Sequence, residues 1–102
     1  MSLLGKSIPR RKHKMKTNPA FVHRNIVGDH VLVPIGNANL KNNGVFPLTE
    51  TGAEIFDLYA SGLSESEIIE KLLTEYDVER DVLVSDVREF TEALIEIGAL
   101  ID

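Results

Sequence analysis

The sequence predicts an α+β domain in which three short antiparallel strands are followed by three helices. Three observations point there. Residues 21–26 alternate well enough for a strand, and residues 30–35 are richer still in β-branched types. From about residue 49 the apolar positions recur every three or four residues instead, and that helical period runs almost to the end. Glycine, asparagine and proline stand at the junctions between these segments, where turns and helix ends need them.

Taken in order, residues 1–18 lack apolar periodicity and read as a flexible basic arm, with the domain proper at 19–102. Phe21–Ile26 and His30–Ile35 are the arms of a hairpin closed at Val27-Gly28-Asp29, where Gly28 can take positive φ. Pro34 ends the second strand because it has no N–H for a ladder. A polar loop at 36–44 leads to a third strand, Val45–Leu48, whose shortness and Pro47 mark it as an edge.

The first helix starts near Thr49, with Thr51-x-x-Glu54 as an alternative capping box, and stops before Gly62. Ser64-x-x-Glu67 caps the second helix. The third runs from about Arg80 to Ile97, with a core stripe at Leu83, Val87, Phe90, Leu94 and Ile97, and Gly98 ends it. Ala99-Leu100-Ile101 is an apolar tail expected to fold back on the core. Helices of this kind beside a small sheet are winged-helix-like, with the wing placed first.

Length and composition narrow the function. A chain of 102 residues suits a single small domain. It has no cysteine, which excludes disulfides, thiolate metal sites and cysteine nucleophiles. No apolar run reaches the roughly 20 residues that span a bilayer, and no signal-peptide pattern is present. A cytoplasmic protein without membrane partners is expected.

Charge is strongly segregated. Residues 1–24 hold Lys6, Arg10, Arg11, Lys12, Lys14, Lys16 and Arg24 with no acid, whereas the rest sets four basic residues against all 16 acidic ones. A basic arm thus precedes an acidic domain.

Residues able to do chemistry are present but not arranged for it. His13, His23 and His30 form no metal-ligand motif, and the serines lie in no nucleophile elbow. The glutamates fall on polar helix faces, and the glycines make no phosphate loop. No enzyme, cofactor or metal is expected. The outline also suggests a DNA-binding regulator, but Lys71, Arg80 and Arg88 are outnumbered by acids on their helices. Only the basic arm could hold nucleic acid, without sequence preference, so that reading is the alternative rather than the expectation.

An ordered set of short matches carries a resemblance to a known family. It comprises Arg24-x-x-x-Gly28, Val31-Leu32-Val33-Pro34-x-Gly36, Asn43-Gly44 and Leu48-Thr49-Glu50-Thr51-Gly52-Ala53-x-Ile55. Leu58, Gly62 and Asp86-Val87-x-x-Phe90-x-x-x-Leu94-x-x-x-Gly98-x-Leu100 follow. Over Phe21–Ile101 the chain resembles the pyrroloquinoline quinone biosynthesis protein D (PqqD-like) family, the peptide recognition element of ribosomally made, modified peptides. Thr49 stands where that family commonly has Asn, and both can cap a helix.

The resemblance implies an accessory peptide-binding protein, a peptide chaperone in cofactor or natural-product biosynthesis. Such a protein captures the leader of a precursor peptide by strand addition and presents it to a modifying enzyme, often of the radical S-adenosylmethionine type. Strand addition needs an open sheet edge and side-chain pockets. The expected edge is Val45, Phe46 and Pro47, and the expected wall is a second line on the third helix at Val84, Arg88, Thr91 and Ile95. Arg88 would meet an acidic leader residue. An open edge could equally pair with its own copy, giving a homo-oligomer.

Overall fold

In the computed structural model, residues 15–36 and 45–101 are described. Eight elements follow in chain order: β1 (Lys16–Thr17), β2 (Phe21–Ile26), β3 (Asp29–Pro34), β4 (Phe46–Leu48), α1 (Glu50–Ala60), α2 (Glu65–Glu75), α3 (Arg80–Ile97) and β5 (Leu100–Ile101). The α+β order of strands before helices is as the sequence predicts. The arm at 1–14 and most of the expected loop, 37–44, lie outside the described residues.

The hairpin turns on Val27 and Gly28 alone, with Asp29 already in the strand. Both turn residues have positive φ, 51° and 87°, which matches the right-handed twist of the flanking strands. Glycine adopts this conformation freely, whereas a β-branched valine is strained in it. Asn25 Oδ1 accepts from the Gly28 N–H at 2.9 Å and holds the turn. β3 is the middle strand, antiparallel to β2 on one side and to β4 on the other.

Each helix is bounded by the chemistry of its ends. Thr49 Oγ1 accepts from the Gly52 N–H at 2.9 Å, so the cap forms at Thr49 and not at Thr51. At the other end, the Leu63 N–H donates to the Leu58 carbonyl and Gly62 to Tyr59. That paired closure requires the positive φ Gly62 supplies. α2 begins with the reciprocal Ser64–Glu67 box, and α3 closes on Gly98 in the left-handed region.

The core forms where one face of the β2–β3–β4 sheet meets the apolar sides of the helices. Leu32, Ile68, Leu72, Val87 and Leu94 are completely buried there. The stripe of α3 departs from the sequence reading. Its buried positions are Leu83, Val87, Thr91 and Leu94, while Phe90 and Ile97 are only partly buried. A threonine can sit in the core because its hydroxyl is paired: Thr91 Oγ1 lies 2.8 Å from the Tyr59 hydroxyl.

Residues before 19 also pack on the domain. Met15 is buried, and β1 pairs antiparallel with β5, setting Lys16 opposite Ile101 and Thr17 opposite Leu100. Asn18 locks this clip. Its backbone N–H donates to Ala99 O (2.9 Å), its side-chain amide donates to Gly98 O (2.8 Å), and its Oδ1 accepts from Ala20 N–H (2.9 Å). Two-residue strands carry no periodicity, so only the apolar tail was readable; Ala99 and Leu100 are buried, while Ile101 is exposed.

Candidate functional site

A site for an extended ligand needs unpaired backbone groups and a place for side chains. The sheet offers the first at β4, which among the described residues is paired only with β3. Its hydrogen-bond phase follows from the hairpin. The two-residue turn makes Ile26–Asp29 a bonded pair, and alternation makes Arg24–Val31 and Val22–Val33 bonded pairs as well. The Ile35 N–H donating to Ala20 O at 2.7 Å continues the series.

His30 and Leu32 therefore direct their backbone groups to β4, where their partners are Leu48 and Phe46. Pro47, opposite Val31, points its backbone outward. Nothing is lost there, because proline has no N–H to leave unpaired. Val45, by the same alternation, also faces out. The outer edge thus presents one N–H and two carbonyls. Val45 is 53% exposed, Pro47 is exposed, and Phe46 tucks against the core.

Beyond Leu48 the chain enters a cleft at once, since Thr49 is part of its lining. The cleft, of about 510 Å³, lies between the first half of α1 and the middle of α3. Thr49, Thr51, Gly52 and Ile55 form one wall, and Asp86, Glu89, Phe90 and Ala93 the other. This volume falls within the range of small-ligand pockets. Gly52 sets how closely the walls approach. A Cβ there would stand 3.0 Å from two carbons of the Phe90 ring, so the aromatic rests on bare backbone.

The line expected on α3 lies elsewhere. At about 100° per residue, the cleft residues sit roughly 100° to one side of the buried stripe. Val84, Arg88 and Ile95 sit roughly 90° to the other side, where α3 packs on α2. Val84 and Ile95 are partly buried against the core, and Arg88 Nε points to Glu65 Oε1 of α2 at 3.9 Å. Thr91 is fully buried within the stripe itself. Of the expected residues, the structure brings Val45, Phe46 and Pro47 together on the edge and sets the α3 group away from the cleft.

Asp86, Glu89 and Ala93 were missed, and Phe90 was read only as core. One signal was available. Glycine inside a helix costs about 1 kcal/mol relative to alanine, so Gly52 marks a place where something approaches closely.

The two strand histidines do face each other. His23 Nε2 lies 2.9 Å from His30 Nδ1, and His23 Nδ1 lies 2.8 Å from Asp57 Oδ1. One proton assignment satisfies the chain: His23 donates to the carboxylate and accepts from His30. This arrangement fastens the hairpin to α1, with the His23 ring edge-on to Phe56. Among the described residues no group of three or more potential ligands could hold a metal. No helix among them is long and apolar enough to cross a membrane.

Shifted acidities occur at the seam of α1 and α2, away from the cleft. Glu54 is raised, chiefly because its carboxyl hydrogen-bonds to Glu75, with burial adding to the effect. Glu75 is correspondingly lowered, by Glu54 first and then by Lys71, whose Nζ is 2.9 Å away. The Tyr76 hydroxyl donates to Glu54 Oε1 at 2.8 Å, and that bond raises the tyrosine's pKa.

Comparison with known proteins adds to this geometry. The family model described as coenzyme PQQ synthesis protein D (PqqD) matches residues 29–100. A solved structure of TbiB1 in complex with the TbiA(beta) leader peptide is 29% identical, with a TM-score of 0.69 over 83% of this chain and 93% of that one. A lasso peptide synthetase B1 complexed with its leader peptide is 22% identical, with a TM-score of 0.73 over 88% of this chain and all of that one, and it shares the fold. Among curated proteins none matches.

Proposed function

Because the chain belongs to the PqqD family, we propose that it binds the leader segment of a ribosomally made precursor peptide and presents it to a modifying enzyme. The peptide adds as a further strand along Val45–Pro47 and sets its side chains into the cleft between α1 and α3. The observation that carries this reading is the outward edge of β4 running directly into that cleft. The likeness to TbiB1, solved with a leader peptide bound, supports it.

Physical constraints shape the binding mode. Strand addition draws affinity from main-chain hydrogen bonds and specificity from pockets that take alternate side chains. Pro47 leaves this edge short of donors, so the cleft contributes a larger share of the affinity than a longer edge would require. The precursor's reactive segment stays outside the domain, and a radical-type or other peptide-modifying enzyme supplies the reaction.

The test is a calorimetric titration with the leader segment of a candidate precursor peptide, followed by NMR mapping of backbone amides. A Kd near or below 1 μM, about −8 kcal/mol, with the largest shifts at residues 45–49 and 86–93, is the expected result. Shifts confined to α2, or no binding, would overturn the proposal. Binding of duplex DNA alone, with a steep loss on adding salt, would favour a DNA-binding regulator instead.

A further inference from the structure

The cleft has a sign as well as a shape. Asp86 and Glu89 are three residues apart on one face of α3, both exposed, and both line the wall beside Phe90 and Ala93. The opposite wall, Thr49, Thr51, Gly52 and Ile55, holds no cation. From residue 45 onward the described chain has three cations, and all turn to α2. Lys71 Nζ lies 2.9 Å from Glu75, Arg80 Nη2 lies 2.9 Å from Glu70, and Arg88 reaches toward Glu65 at 3.9 Å.

Among the residues described at the cleft, the positive contribution that faces the carboxylates is the N-terminal end of α1. A helix end is equivalent to about half a unit charge. Here Thr49 already satisfies the Gly52 N–H, and Glu50 occupies the first turn. Two full negative charges against half a positive one leave the cleft negative. Like charges three residues apart on a helix repel, so a cation between them relieves a cost the empty domain carries.

On the reading of this cleft as the peptide site, we infer that the bound peptide carries a lysine or arginine next to the apolar side chain it buries. The apolar group rests on Ile55, Phe90 and Ala93, and the cation meets Asp86 and Glu89. Residue order follows from strand geometry. Successive side chains of an added strand point to opposite faces, so a long basic side chain bends back over the rim while its neighbour enters. This reverses the charge expected from Arg88, which α2 already engages.

The inference is tested by selecting a random peptide display library against the full chain and against the double variant Asp86→Asn/Glu89→Gln, each checked for fold by circular dichroism. The wild type should enrich Lys or Arg beside a large apolar residue, and the variant should keep the apolar preference and lose the basic one. The best selected peptide should bind the variant about tenfold more weakly, with the difference shrinking at high salt. Enrichment of apolar peptides with neutral or acidic neighbours would overturn this inference and leave peptide binding standing. Failure to enrich any peptide would sink both.

Discussion

The two flanks of α3 are built from the same helix and have opposite fates. On the flank toward α2, apolar Val84 and Ile95 are partly buried against the core and Arg88 points to an acid of α2. On the flank toward the start of α1, Asp86, Glu89 and Ala93 border an open cleft with Phe90 half-buried at its floor. The more apolar flank is the closed one. A second apolar line on a helix therefore reports a neighbouring helix, whereas the open side is marked by what packing would exclude: unpaired carboxylates beside an incompletely covered ring.

Substitutions on each flank should behave differently. Ile95→Glu places a charge at a partly buried core contact and should cost about 2 kcal/mol in urea unfolding, while peptide affinity per folded molecule stays unchanged. A stable variant with weakened peptide binding would return the groove to that flank. Phe90→Ala should cost a similar amount, about 2 kcal/mol, because the 3–5 kcal/mol typical of aromatic truncation applies to full burial. It should also lower peptide affinity at least tenfold by isothermal titration.

Between the flanks, Thr91→Ala removes the buried hydroxyl that pairs with Tyr59 and should cost about 1 kcal/mol, with no effect on peptide Kd. The smallest effect lies at the α1–α2 seam. Glu54 is raised, so its contribution to stability is present in acid and lost as pH rises through its folded pKa. Glu75 is lowered, so its contribution is present above the ordinary carboxylate range and lost as pH falls. The two oppose each other. In Glu75→Gln, an NMR titration should find Glu54 closer to its ordinary value, and peptide binding should not change.

Most of the fold was legible because its boundaries are local chemistry. Ser64 and Glu67 announce α2 within four residues, and Gly62 and Gly98 sit where the chain must turn left-handed. Of the proposed site, the sheet side was the part legible in the sequence. Pro47 fixes which way the β4 backbone faces, and that argument needs no knowledge of distant residues. The helix side depends on partners far along the chain. Thr91 is core because Tyr59 lies opposite it, and Phe90 is displaced toward the cleft by the same ordering. Both residues fit the helical period, so spacing alone could not rank them. Val27 was placed in the turn, but its positive φ was not read: a valine with φ of 51° is favoured by the hairpin's twist and not by its own side chain.

The β1–β5 clip has a consequence for how such a module can be joined to others. Lys16 lies opposite Ile101, and Cα atoms of facing antiparallel residues are about 4.5–5.5 Å apart. The chain therefore enters and leaves the domain at one point. A host protein could receive the domain in a surface loop without separating the loop's ends, or carry it at either terminus from the same anchor. Tethering of that kind would convert capture of a peptide into local delivery, with the gain set by linker length rather than by any new contact.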